Sequence, residues 1–302
     1  MPTARARRFS AINLLILLGG LAATGLLLYP TAADWFSDLQ HAQANAQYTQ
    51  HLAAAPDETR ASLLADADAY NAALPTGRVR DPYSTASTAP GLDPAEYFRQ
   101  LDVGAAGVVA RVRYERLGVD LPVSLGTDQD VLRKGVGHLF GSSLPVGGAG
   151  THSVLTAHSG APYAALFDPI HAARVGDIIT VDVAGRHLQY RVTGTQTVRP
   201  DDTRSLRVED GQDLLTLLTC TPIGVGSHRL LVHAERIVAA EPTRTSSGTV
   251  PAGSEPRPWE TLIGAWWIPA FLAAGAILWA LVPPLPRRRP RTGDGPASAA
   301  GR

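Results

Sequence analysis

A single cysteine, Cys220, occurs in a chain of 302 residues that also has only one methionine. Its surroundings, TLLTCTP from Thr216 to Pro222, read as an apolar β-strand stopped by a proline that cannot donate to a ladder. Strand ends bordering loops are where side chains reach solvent and substrate. A thiol so placed can act as a nucleophile if a base or cation supports the thiolate; the plain alternative is a buried cysteine serving as a small hydrophobe. Nine histidines are candidates for the base. In THSVLTAHSG, alternation sets His152, Val154, Thr156 and His158 on one face, and only His158 stands at the strand's end. His138, His171, His187, His228 and His233 lie in turns or among alternating strand residues and read as surface or packing histidines. Arg229 follows the turn TPIGVGSH and opens the next strand, so a hairpin returns it beside Cys220. There it is either a donor for the oxyanion formed when a thiolate attacks a carbonyl or an ordinary edge-strand arginine.

The elements around these residues are legible as patterns. From Gly107 onward the segments GVVARVRYERLGVDLPV, HSVLTAH, DIITVDVAG, HLQYRVTGTQTV, DLLTLLTC and HRLLVHAERIV are short, alternating or apolar, and separated by Gly, Asp or Pro. They predict β-strands closed into a barrel or stacked as a sandwich, with a hairpin turn at Ala184 to Arg186. Upstream, Trp35 to Ala55 predicts a helix, and DETRASLLADADAYNAAL predicts another with Leu63, Ala67, Tyr70 and Leu74 on one face. The stretch PTGRVRDPYSTASTAPGLDP is loop by composition and long for a connector.

Two uncharged apolar runs, Ala11 to Tyr29 and Thr261 to Val282, approach the ~20 residues that cross a bilayer. Arg5, Arg7 and Arg8 precede the first, and Arg287, Arg288, Arg289 and Arg291 follow the second. The positive-inside rule then leaves both termini in the cytoplasm and residues 30 to 260 outside. A cleaved signal peptide ending near Thr31 to Ala33 is the alternative for the first run; the second run still anchors the chain. An exported lone thiol has no disulfide partner in its own chain. The balance of 27 Lys and Arg against 27 Asp and Glu argues against nucleic acid as a partner.

With these residues in hand, TLLTCTPIGVGSHRLLVHAER resembles the nucleophile strand, turn and arginine strand of the sortases, most closely the class C, pilus-assembling type. The likeness continues through LPVSLGTDQDVLRKGVGHLFGSSLPVGGAGTHSVLTAHSG, LFDPIHAARVGDIITVDVAG and VRPDDTRSL, and covers about residues 107 to 238. It implies a mainly β fold: a closed eight-stranded barrel preceded by N-terminal helices and flanked by two transmembrane helices. It also implies that Cys220, His158 and Arg229 are catalytic, with Thr219 and Thr221 supporting the nucleophile or touching substrate. DPY, at Asp81, Pro82 and Tyr83, is similar to the class C lid, which implies that Asp81 pairs with Arg229 and that Tyr83 sits over Cys220. Ala157 and Ser159 stand where the family usually has glycine and arginine, and Ile223 where an aromatic is common.

The resemblance implies a thioester mechanism with no metal or cofactor. The substrates are pilins or surface proteins bearing an LPxTG-like sorting signal, cleaved between Thr and Gly, and the acyl group passes to a pilin lysine amine. The same chemistry with a peptidoglycan amine, a thiol hydrolase using water, and a non-catalytic anchored barrel are the alternatives. The expected organisation is a cytoplasmic tail (1–10), a membrane helix or signal anchor (11–29), extracytoplasmic helices (30–75), a lid loop (76–95), the catalytic barrel (96–240), a linker (241–258), a second membrane helix (259–283) and a basic tail (284–302). The expected location is the membrane of a Gram-positive-type envelope, with the barrel outside.

Overall fold

The computed structural model describes residues 11–75, 81–83, 92–237 and 265–281. Both expected tails, the 241–258 linker and most of the expected lid loop lie outside the described residues. The chain divides into two compact units, Met1–Tyr29 with Trp266–Arg302, and Pro30–Ala265.

In the first unit, helix α1 begins at Ala11 and exposes Ile12, Leu15, Ile16, Leu26 and Leu27. It is long and apolar enough to cross a membrane. The expected break between a membrane helix and a separate helix at Trp35 does not occur. The helix runs through Pro30 to Ala54, since a proline removes one helical hydrogen bond without preventing the next turn from forming. The second apolar run contributes a shorter described helix, Trp267–Leu281, of 15 residues.

In the second unit the latter part of α1 and helix α2 (Asp57–Ala73) contribute buried Tyr48, Ala67 and Tyr70 to the packing around the sheet. The Tyr48 hydroxyl donates to the Val109 carbonyl at 2.7 Å and accepts from the Ala184 N–H at 3.0 Å. Asn71 brackets Leu144, accepting from its N–H at 2.7 Å and donating to its carbonyl at 3.1 Å. Asp93 caps a short helix, Pro94–Tyr97, so the expected lid loop gives way to helix two residues before its predicted end.

Eight strands close into a barrel: β1 (Val108–Tyr114), β2 (Val119–Leu125), β3 (Val136–His138), β4 (Thr151–Thr156), β5 (Ile178–Val183), β6 (Arg186–Val198), β7 (Asp213–Thr221) and β8 (His228–Arg236). Their order around the barrel is β1-β2-β3-β4-β7-β8-β6-β5. The stretch from Gly107 is two strands, because Glu115–Leu117 forms a 3-10 turn ended by Gly118 at φ 67°. The β5–β6 hairpin turns on Ala184 and Gly185, both at positive φ, as a two-residue turn between twisted strands requires.

Alternation along β4, β7 and β8 splits their apolar residues between two faces. Leu155, Leu215, Leu217 and Val232 join the main core, whereas Val154, Leu218 and Leu231 form a second cluster with Leu139, Val198 and Leu206. The second cluster lies on the parity of Cys220, and Tyr83 packs against it.

Candidate active site

The site is set by register. β7 pairs parallel to β4 and antiparallel to β8. On its outward parity Thr216 faces His233, Leu218 faces Leu231, and Cys220 faces Arg229. Directly opposed residues of an antiparallel pair carry their Cβ atoms about 4.5–5.5 Å apart, so the turn predicted from TPIGVGSH puts a guanidinium stem beside the thiol.

Arg229 is only 8% exposed, and a buried cation needs partners. Its Nε and Nη2 donate to the two carboxylate oxygens of Asp81 at 2.7 and 3.0 Å, and Nη1 donates to the carbonyls of Gly226 at 2.9 Å and His228 at 3.2 Å. Burial disfavours the Arg229 cation, the Asp81 carboxylate outweighs it, and the guanidinium is held more firmly charged than usual.

Tyr83 stands in the middle of the group. Its ring lies 4.9 Å from the Arg229 Cζ and 5.5 Å from the His158 ring. Its hydroxyl is 3.0 Å from Thr156 Oγ1 and donates to the Ala157 carbonyl at 2.8 Å. Pro82 between them is buried. Asp81 pairs with Arg229, and Tyr83 stacks between the Arg229 guanidinium and the His158 ring, which closes these side chains together.

The titration of the group follows from that closure. Burial pushes the Cys220 thiol up; the Arg229 cation pulls against this, and the Asp81 carboxylate adds to it. Burial, helped by the Arg133 cation, holds His158 below the usual imidazole range. Both shifts favour the neutral form, of the thiol and of the imidazole alike.

The residues flanking the thiol differ in what they do. Thr219 is fully buried and its hydroxyl donates to the Ala157 carbonyl at 2.7 Å, tying β7 to the residue before His158. Thr221 is half-buried and pairs with His228. The other histidines divide by environment. His138 is fully buried with Nε2 donating to the Ser143 carbonyl at 2.8 Å. His152 and His233 each share the Thr216 hydroxyl, at 2.7 and 2.9 Å, and His187 is exposed beside Asp182. Sequence reasoning passed over Thr156 as a partner of the tyrosine and Gly226 as a carbonyl anchor for Arg229. Alternation marks which face Thr156 shares, but nothing in the sequence marks the Gly226 carbonyl.

A sortase domain model matches residues 112–237. The chain is 27% identical over 125 residues to sortase D of Bacillus subtilis, covering 40% of this chain; the match spans 60% of that relative's length. Among solved structures, sortase C-1 of Actinomyces oris is 44% identical with a TM-score of 0.56, covering 60% of this chain and 98% of that one. The pilus-related sortase C of Group B Streptococcus is 36% identical with a TM-score of 0.58, covering 63% and 95%. Such identity over nearly the whole of two solved sortases, on the same barrel, means that the chain belongs to the sortase family, on its class C branch.

Proposed function

We propose that this protein is a membrane-anchored cysteine transpeptidase that joins pilin subunits. The observation that carries the reading is the cross-strand pair of Cys220 and Arg229 lying under Tyr83, with Asp81 holding the guanidinium. When the cover opens, Asp81 leaves Arg229, whose freed N–H groups hold the substrate carbonyl. His158 takes the Cys220 thiol proton as the sulfur attacks the Thr carbonyl of an LPxTG-like signal and a C–S bond forms. His158 delivers a proton to the departing glycine nitrogen as the C–N bond breaks, leaving a thioester. A lysine amine then gives a proton to His158 and attacks the thioester, the C–S bond breaks, His158 returns that proton to the Cys220 sulfur, and an isopeptide bond results. Thr219 and Thr221 support the nucleophile's strand end. The pilus-related relative in Group B Streptococcus favours a pilin acceptor over a peptidoglycan amine.

For anchoring, the exposed apolar surface of α1 between Ile12 and Leu27 suits lipid. The flanking arginines favour two spans, at 11–29 and 259–283, with the 30–240 region outside the cell and a linker at 241–258. The envelope is then of the Gram-positive type.

The test uses the full-length chain in detergent micelles, mixed with a sorting-signal peptide and followed by intact mass. A thioester adduct on Cys220 is expected, scarce in the parent and abundant in Asp81→Ala with Tyr83→Ala. Added pilin lysine amine should convert it to an amide. Hydrolysed peptide without amide product would favour the hydrolase reading, amide formed only with peptidoglycan stem amines would favour wall anchoring, and a fully active Cys220→Ala would end the proposal.

A further inference from the structure

The regular pairing of β4 with β7 ends at Thr156 and Leu218, two residues short of both His158 and Cys220. One more backbone rung follows, from the Ala157 N–H to the Leu218 carbonyl at 3.3 Å. A parallel ladder advances two residues on each strand per rung, so the next would join 159 to 220 (157 + 2 and 218 + 2). That rung is present, but a side chain makes it. The Ser159 hydroxyl donates to the Cys220 carbonyl at 2.6 Å.

The backbone cannot make this rung because it is already turning away. The Phe167 N–H donates to the His158 carbonyl at 3.1 Å, closing the following loop back on His158. Gly160 is in the left-handed region at φ 71°, and its Cα lies so near the β7–β8 turn that a Cβ there would meet the Gly224 nitrogen at 2.8 Å. His158 thus stands between two ties to β7. Ala157 is held on one side, through its N–H and through the Thr219 hydroxyl on its carbonyl, and Ser159 on the other.

We infer that Ser159 is a positioning residue for the transpeptidation proposed above. Its hydroxyl extends the β4–β7 ladder by one rung, fixing the backbone of His158 against that of Cys220 while leaving the imidazole free to carry protons. The inference rests on that reaction for its catalytic meaning. An alanine there removes the tie without changing the charge of the site. A threonine keeps a hydroxyl on the same Cβ and is the conservative replacement.

The experiment compares the full-length parent with Ser159→Ala and Ser159→Thr, all with Asp81→Ala so that the cover is open. Peptide turnover, melting temperature and amide exchange by mass spectrometry are read on each. Displacement of a catalytic group by about 1 Å costs up to roughly a hundredfold, so Ser159→Ala should lower kcat by about tenfold or more with KM within about twofold, and Ser159→Thr should restore most of it. Exchange across 157–167 should accelerate in the alanine variant, with β4 and β7 unchanged. Unaltered kcat in Ser159→Ala, or a loss that tracks melting temperature and is not restored by threonine, overturns the inference. If the parent gives no Cys220 adduct, the proposed reaction fails instead. The exchange comparison then still decides whether Ser159 fixes His158: faster exchange at 157–167, restored by threonine, supports it and unchanged exchange refutes it.

Discussion

At the scale of single residues, Asp81 opposes the thiolate twice: its carboxylate raises the Cys220 pKa and occupies the Arg229 donors. Removing it takes away a group that raises the thiol's pKa and leaves one that lowers it, so the thiolate fraction at neutral pH must rise. Asp81→Ala should therefore react with iodoacetamide at pH 7 at least about tenfold faster than the parent, with the midpoint of the rate against pH moved downward. An unchanged midpoint would mean that the carboxylate does not govern the thiol. Arg229→Lys tests the partner. A lysine cannot reproduce a guanidinium that donates through Nε and Nη2 to one group and through Nη1 to others. In the open-cover background its kcat/KM should fall by roughly a hundredfold, the scale of losing an oxyanion donor. Retention of half the parent's activity would assign Arg229 a packing role.

The elements show which of these relations could be read in advance. Parity along β4, β7 and β8 is a property of the sequence, so the shared face of His152, Val154 and Thr156 and the return of Arg229 beside Cys220 were legible from alternation and a turn. β3 was not, because three residues are too few to display a period. The Ser159 hydroxyl was equally silent, since its acceptor is 61 residues away and is a backbone carbonyl that every residue carries. Tyr83 reached the site through the family likeness, not through any pattern in its own loop. The α1 helix shows the same limit: its length was legible in part, whereas the hydroxyl by which Tyr48 joins β1 to the β5–β6 turn was not. Tyr48→Phe leaves the ring and orphans a buried carbonyl and a buried N–H. It should cost about 1–3 kcal/mol in urea melts, and a variant as stable as the parent would show that water replaces the hydroxyl.

For the whole molecule, acid is the condition that tests the interior. Burial lowers the His138 pKa to about 4, and His41, His152 and His233 are lowered by burial as well. Each binds fewer protons folded than unfolded between its folded value and the usual ~6.5. Stability from these groups is complete above pH 6.5 and declines as pH falls toward 4. Asp34 and Asp38, raised by burial, act with the opposite sign only nearer the carboxylate range. The melting temperature should therefore drop steadily from pH 7 to pH 4.5, and His138→Gln, though less stable, should flatten the slope. A level profile in the parent would rule this out. The strand order carries a consequence of another kind. Among the described strands β8 comes last in the chain, yet it lies between β7 and β6. Without it the sheet has two raw edges and the thiol no arginine beside it. One strand thus both seals the barrel and carries the guanidinium to the nucleophile, so a chain in which β8 were displaced would lose its arginine partner and expose strand edges to other chains in the same step.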